Sequence, residues 1–387
     1  TDGGTHWESI FDDQEVSSVS ALAVAASDPN VVWAGTGETF IRSNISIGNG
    51  IFKYTDAGKT WQHMGLEATG RIGRVIIDPR DPDIVYAAAM GHSYGPQQER
   101  GVYRTLDGGA NWERVLFVDE ETGASDIAMD PNNPRILFAG MWRLEIRTWG
   151  RNSGSTNAGI FKSTDGGITW KRLEGNGLPT TTTGKIGLAI APSNSDRIYA
   201  LIETSDGEPR EGRETESGVL WRSDDGGSRW KLISHDHELT QRPHYYTRLA
   251  VAPDNHNEIY TLAPRASISI DAGVTATRFS IAGGDHHDMW IDPTNASRMI
   301  VGNDQYVAIS VNRGQTWRGI RLPIAQMYHV AVDNEVPYNV YGNRQDGPST
   351  HGPSNSLYAS FGGGGIGSGE WKHVGACECG FAYPDPE

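Results

Sequence analysis

A short pattern recurs along this chain and sets most of what the chain can become. "KSTDGGITW" (162–170) holds a Ser/Thr, an Asp, two glycines and a Trp at fixed offsets. It returns as "TDGGTHW" (1–7), "YTDAGKTW" (54–61), "RTLDGGANW" (104–112) and "RSDDGGSRW" (222–230). Its acid falls at Asp2, Asp56, Asp107, Asp165 and Asp225, more weakly at Asp271, and becomes an amide at Asn312. These positions lie 41 to 60 residues apart, the period of propeller repeats.

A second motif keeps step with the first. "RVIIDPRDPDIVYAAAMG" (74–91), "DIAMDPNNPRILFAGMW" (126–142), "GLAIAPSNSDRIYALIE" (187–203) and "RLAVAPDNHNEIYTLAP" (248–264) are four of its seven copies. Each is an apolar strand, a Pro/Asp/Asn turn and a second apolar strand, which is a hairpin. A variable loop, a third strand, the repeated box as a turn and a Trp-led fourth strand follow. The chain is therefore expected to be all-β: a β-propeller of four-stranded antiparallel blades, seven in number, with eight as the alternative. The repeat units fall at 21–63, 74–115, 126–173, 187–233, 248–280, 288–319 and 329–373. Residues 1–13 are expected to supply a closing strand, and 374–387 a tail or the start of a further repeat, in a chain cut from a longer one.

The box explains itself locally. Its Asp can accept backbone N–H bonds within the turn, its glycines supply positive φ, and its Trp packs on the blade. Each role is needed in every blade, so the box is expected to be scaffold.

Composition removes several function classes. The net charge of −15 opposes nucleic acid, whose binders need a basic face, and opposes an anionic membrane surface. No apolar run is long enough to span a membrane. Cys377 and Cys379, the only cysteines, are two residues apart, a spacing that strains a disulfide; free thiols are expected. "GLPTTTTGK" (177–185) mimics a phosphate loop, but six residues separate its glycines and Ile186 stands where Ser or Thr is required.

At this point the chain resembles the Asp-box (bacterial neuraminidase repeat) propellers. Within them it is similar to the sortilin-like, vacuolar-sorting-receptor-type family of large secreted bacterial proteins, often labelled glycosyl hydrolases. The resemblance rests on the boxes with "GTGE" (35–38), "ERGVYR" (99–104), "QRPHYYTR" (241–248), "GDHHDMWIDP" (284–293), "AQMYHVAVDN" (325–334) and "VYGNRQD" (340–346). No signal peptide precedes Thr1, so the resemblance alone implies a secreted or periplasmic location.

Strand order divides the blades into two faces. First-to-second turns and boxes share one; second-to-third loops and blade connections share the other. The second is irregular and long-looped, which is where scaffolds carry function. Residues just before the innermost strands converge on the axis, so the site is expected there. The expected ligand-binding residues are Arg42, His92, Arg100, Trp142, Arg147, Trp149, Tyr245, Tyr246, Arg248, His286, Tyr328, His329 and Arg344, with Trp142 and Trp149 stacking on sugar. Candidate catalytic carboxylates are Glu38, Asp285, Asp288 and Asp346, since glycosidases work with a pair of acids; Glu99 and Asp304 lie near them in the strand plan.

Adjacent His286 and His287 invite a metal, but neighbours on a strand point to opposite sides, so neither metal nor cofactor is expected. The leading reading is an extracytoplasmic propeller, monomeric or part of a longer chain, that binds a glycan or peptide at the axial mouth. The alternative is a glycoside hydrolase acting on a polysaccharide, similar to the xyloglucanase-type Asp-box propellers.

Overall fold

The computed structural model describes residues 3–42, 45–204, 218–322, 324–356, 366–375, 378 and 380–385. The chain divides into two compact units, Thr1–Ile320 and Arg321–Glu387.

The first unit contains six sheets. The first is β1 (Val19–Val24), β2 (Val32–Thr36), β3 (Ile51–Tyr54) and β4 (Gln62–His63); the second is β5 (Ile72–Asp78), β6 (Asp81–Ala89), β7 (Gly101–Thr105) and β8 (Glu113–Leu116). The third holds β9 (Thr122–Met129), β10 (Leu137–Arg147), β11 (Gly150–Ser153), β12 (Gly159–Ser163) and β13 (Lys171–Arg172). The fourth is β14 (Thr183–Ile190), β15 (Ile198–Thr204), β16 (Leu220–Ser223) and β17 (Lys231–Ser234). The fifth is β18 (Arg248–Ala252), β19 (Asn255–Leu262), β20 (Ser267–Ser269) and β21 (Thr277–Arg278). The sixth is β22 (His286–Ile291), β23 (Met299–Asn303), β24 (Val307–Ser310) and β25 (Arg318–Ile320). Every sheet is antiparallel, with its strands in chain order except for the added β11. The second unit holds a seventh sheet of the same order, β26 (Met327–Val332), β27 (Asn339–Arg344), β28 (Thr350–Pro353) and β29 (Lys372–His373). Seven four-stranded up-and-down repeats make the fold a β-propeller.

In the first unit the opening strands of successive sheets pack on one another, β1 on β5, then β9, β14, β18 and β22 in turn. The core lies in layers between sheets. Trp33, Ile51, Ile72, Val75 and Val85 fill the first layer, and Phe138, Ile186, Ile198 and Trp221 fill the third. The strands of the second to fifth sheets are apolar on both sides because each of these sheets lies between two others. Gly35 marks how close the sheets come: a Cβ there would sit 2.6 Å from the Ile72 side chain.

The boxes are built alike. Asp165 Oδ1 accepts from the Ser163 hydroxyl at 2.8 Å and from the Thr169 amide at 2.9 Å, while Thr169 Oγ1 donates to Oδ2 at 2.6 Å. The Gly167 amide donates to Ser163 Oγ, and the Trp170 indole donates to the Gly167 carbonyl. The hydroxyl and amide bonds to Oδ1 recur around Asp107, Asp225 and Asp271. Asn312 keeps the amide-accepting oxygen, bonded by Thr316 at 2.9 Å. The loss of the acid is therefore tolerated geometrically. The boxes of the second to sixth sheets also bond the first hairpin turn of their own sheet, as Gly166 N does to Arg135 O and Gly108 N to Asp83 O. The two kinds of turn share a face in the first unit.

A basic residue three positions before the box Asp reaches the next sheet's box. Lys53 Nζ donates to Gly108 O, Arg104 to Gly166 O, Lys162 to Gly226 O and Arg222 to Ala272 O, at 2.7 to 3.2 Å. Ile268 and Ile309 occupy this position in the fifth and sixth sheets, and the chain of links stops there. Sequence reading had passed over this latch.

Two expectations are corrected. Residues 3–13 form no strand, and the seventh sheet takes its fourth strand from β29, led by Trp371, whose ring lies against Gly352. The N-terminal segment serves as packing instead: Phe11 meets Trp61 edge-on at 4.9 Å and Trp61 donates to Ile10 O. The stretch 140–159 is no irregular loop. β10 runs on past its sheet and pairs with β11, because Leu144 and Ile146 alternate with Arg143, Glu145 and Arg147 and bury against Ile41, Ile45 and Met90. Asp2, Cys377, Cys379 and most of the loop 203–218 lie outside the described residues. The tail folds back on the seventh sheet, with the Glu378 carbonyl accepting from Asn343 and Phe381 stacked on His329 at 4.0 Å. No helix among the described residues is long and apolar enough to cross a membrane.

Candidate functional site at the axis of the first unit

The opening strands bring one column of the repeat together. The residue that starts "RVIIDP", "DIAMDP", "RLAVAP" and "DMWIDP" is Arg74, Asp126, Arg248 and Asp288. Arg74 donates from Nε to Asp126 Oδ1 and from Nη1 to Asp288 Oδ2, both at 2.9 Å. Arg248 donates from Nη1 to the same Asp126 oxygen at 2.9 Å and from Nη2 to the Gly73 carbonyl. Burial alone would raise the Asp126 carboxyl, but Arg74 and Arg248 outweigh it and hold it below the usual range. Asp126 is thus a fixed buried anion. Asp288 is different, since 49% of its side chain remains exposed.

Above this network lies an aromatic group from three connections. Phe40, Tyr245 and Tyr246 surround His287 at ring distances of 4.4, 4.9 and 5.5 Å, Tyr246 being stacked. His287 Nε2 contacts Asp304 Oδ1 at 2.5 Å, and the Tyr246 hydroxyl donates to Asp285. Burial raises both tyrosine hydroxyls well above their ordinary value, with the Asp285 hydrogen bond adding to the effect at Tyr246. Glu38 is held by Arg42 at 3.2 Å and by the Ser46 amide at 3.1 Å.

Lys185 supports the group from below. Its side chain is buried, and its Nζ faces the carbonyls of Thr39, His244 and Tyr245 at 3.5, 3.2 and 3.4 Å, with Phe40 and Trp142 rings beside it. Burial pushes this amine far down, and the nearby Arg248 adds to the shift. The lysine that mimicked a phosphate loop is a tie between two loops.

Of the residues expected at the mouth, Glu38, Arg42, Tyr245, Tyr246, Arg248, Asp285, His286 and Asp288 lie in this region of the first unit. His286 is buried and pushed down by that burial, so it presents no ligand surface. Tyr245, Tyr246 and Arg248 are buried as well, so they form the wall of the region and not a free ligand surface. Three further expectations fail on burial or partners. Trp142 is fully buried, its indole donating to Ser153 Oγ, and cannot stack on a sugar. Arg100 is buried with its guanidinium spent on the carbonyls of Glu121, Gly95 and His92. His92 is half-buried over Gly70, pushed down by burial and by Arg71. Tyr328, His329, Arg344 and Asp346 belong to the second unit, where the Asp346 amide donates to Glu378 at 2.7 Å.

The β10–β11 hairpin carries the most exposed aromatic side chain of this face. Trp149, at its tip, is 80% exposed, with the Arg147 guanidinium 5.8 Å from its ring. Glu145 pairs with Arg147 at 2.7 Å and accepts from Asn152 at 3.2 Å. Sequence reading missed Arg74, Asp126, Lys185 and the hairpin. Stacking the hairpin motifs in a column sets Arg74 and Asp126 at the same position as Arg248 and Asp288.

Comparisons with known proteins agree with the fold. The BNR/Asp-box repeat family matches residues 161–172. The chain is 23% identical to the xyloglucanase Xgh74A of Acetivibrio thermocellus over 76% of its own length and 38% of that protein. It is 28% identical to a xyloglucanase of Paenibacillus sp. over 58% of its length and 22% of that protein. The crystal structure of an ancestral GH74 enzyme superposes with a TM-score of 0.56 at 13% identity, covering 92% of this chain and 46% of that one. The chain thus spans well under half the length of these curated relatives. They are xyloglucanases, where the sortilin-like family had been expected; that closer resemblance is not supported. The chain is a β-propeller carrying the BNR/Asp-box repeat and similar in sequence to xyloglucanases.

Proposed function

We propose that this chain is a substrate-bearing part of a glycoside hydrolase that acts on xyloglucan or a related polysaccharide, laid across the loop face of the first unit. The observation that carries the reading is the β10–β11 hairpin. It holds Trp149 out in solvent beside an ordered row of Arg147, Glu145 and Asn152. The exposed indole is free to be covered, and a sugar ring offers its apolar face to it and its hydroxyls to the neighbouring charges. The similarity to xyloglucanases supports the same class of ligand. A polymer of this size meets the protein outside the cytoplasm, so the location follows from the substrate.

Hydrolysis needs one carboxylate that stays ionised and one acid that gives a proton. Asp288 suits the first role, being anchored by Arg74 and half exposed at the axis. Asp285 and Asp304, at the two ends of the β22–β23 hairpin that carries Asp288, are the candidate partners, each already hydrogen-bonded to an aromatic residue. Both Glu38 oxygens are engaged, which favours a positioning role for that residue. Asp288→Asn should lower kcat on xyloglucan by about a hundredfold or more while oligosaccharide binding persists. Unchanged turnover would remove Asp288 from the reaction.

Binding without hydrolysis is the second reading, and one observation favours it: the axial carboxylates are neutralised by Arg74 and Arg248, which suits a structural plug. Tight xyloglucan binding with no release of reducing ends by the unaltered protein would decide for it.

A further inference from the structure

The hairpin that carries Trp149 leaves the third sheet, and its returning strand has few anchors. β11 pairs with β10 alone, and a two-stranded ribbon by itself is marginal in water. Gly150, Arg151 and Asn152 are exposed, while Ser153 is half-buried. Ser153 is thus where β11 meets the body of the unit. Its hydroxyl accepts from the Trp142 indole at 2.9 Å and donates to Glu203 Oε2 at 2.7 Å.

Glu203 comes from the fourth sheet. The β14–β15 register shifts between Thr183 and Ile186, which leaves Gly184 and Lys185 opposite Glu203 alone, as in a bulge. The Lys185 amide turns to the side chain and donates to the same Glu203 oxygen at 2.8 Å. Gly184 makes the room, since a Cβ there would collide with that oxygen. Lys185 then reaches onward. Its Nζ faces the carbonyls of Thr39, His244 and Tyr245 and lies 5.5 Å from the centre of the Trp142 ring. Trp142, Ser153, Glu203 and Lys185 therefore close a circuit. One side of it is the hairpin; the other holds the connections that carry Phe40 and Tyr245. Glu203 is the joint, because donors from β11 and from β14 meet on one of its oxygens.

We propose that Glu203 is a positioning residue for the glycan site: its carboxylate sets the hairpin, with Trp149 at the tip, in register with the wall of Phe40 and Tyr245. This deepens the polysaccharide reading and rests on it, since the role exists only if Trp149 stacks on a sugar. The fold itself has other means of holding β10, which continues from the third sheet and buries Leu144 and Ile146 against Ile41, Ile45 and Met90. The tie to Glu203 acts instead on the strand that returns from Trp149. Four residues separate Ser153 from Trp149, about 13 Å along a strand, so any swing at Ser153 is carried to the tip.

Calorimetric titration of a xyloglucan oligosaccharide into the whole chain and its variants tests this as a double-mutant cycle. Trp149→Ala should weaken binding about tenfold, and Glu203→Leu should weaken it by a similar factor. The double variant should bind about as weakly as Glu203→Leu alone, because a hairpin out of register no longer brings its Trp to the sugar. Glu203→Gln, whose amide oxygen still accepts from Ser153 and Lys185, should bind like the unaltered protein. Ser153→Ala cuts the link on the hairpin side and leaves β14 intact. It should reproduce the loss, and it replaces Glu203→Leu in the cycle if melting curves show that variant unfolded. A tie that only stabilised the fold would let Trp149→Ala cost the same tenfold in both backgrounds. That additivity, or full affinity in both Glu203→Leu and Ser153→Ala, would overturn this inference and spare the polysaccharide reading. Trp149→Ala binding as tightly as the unaltered protein, or no binding by any of them, would remove both.

Discussion

Asp126 carries more of the axis than any other side chain there. It is buried, it accepts from Arg74 and Arg248 through one oxygen, and its other oxygen takes the Leu188 amide. Removing it leaves Arg248 facing Arg74 without its own counter-charge, Arg74 keeping only Asp288, and Arg248 is already depressed by burial and by Arg74. Asp126→Ala should cost about 3–5 kcal/mol, read as a lower denaturant midpoint at unchanged m-value. The residue was within reach of the sequence. It occupies the same repeat position as Arg248 and Asp288, both of which the strand plan had already placed at the axis. What strand order could not supply is which charges pair, because that depends on side-chain length across blades far apart in sequence. Trp142 shows the opposite limit: strand alternation leaves its direction open until the hairpin beyond it is known.

At the scale of elements the box turn and its latch decide stability. The carboxyls of Asp107, Asp165 and Asp271 are each held near 2 by hydrogen bonds, for Asp165 first from the Thr169 side chain and then from its amide. Their folded values lie below the ordinary 3.8, so their contribution is complete above that pH and is lost as pH falls through about 2. Thermal melts between pH 5 and pH 2 should show a progressive fall in Tm, and Asp165→Ala should flatten part of it. At neutral pH the same variant should lower Tm by a few degrees, on the order of 2 °C, with oligosaccharide affinity intact. A variant that lost binding at unchanged Tm would contradict the scaffold role. The blades were legible because each repeats one hairpin and one box at a steady period. The β10–β11 hairpin was hidden by its glycine- and serine-rich end, although the alternation of Leu144 and Ile146 with charged residues was already a strand pattern.

For the molecule as a whole, the repeated turns hold the fold, and the proposed ligand site lies on the loop face of the first unit. This division follows from strand order, since a sheet that runs from β1 to β4 sends alternate connections to opposite ends. It explains why the boxes are nearly interchangeable while the connections share no pattern. It also explains how a chain of net charge −15 can present arginines and an exposed Trp in one place. Titration of a xyloglucan oligosaccharide into the unaltered protein and into Trp149→Ala tests it most directly. The account predicts binding by the unaltered protein, an affinity about tenfold lower in the variant, and superimposable melting curves. Equal affinity for the two proteins, or no binding by either, would contradict it.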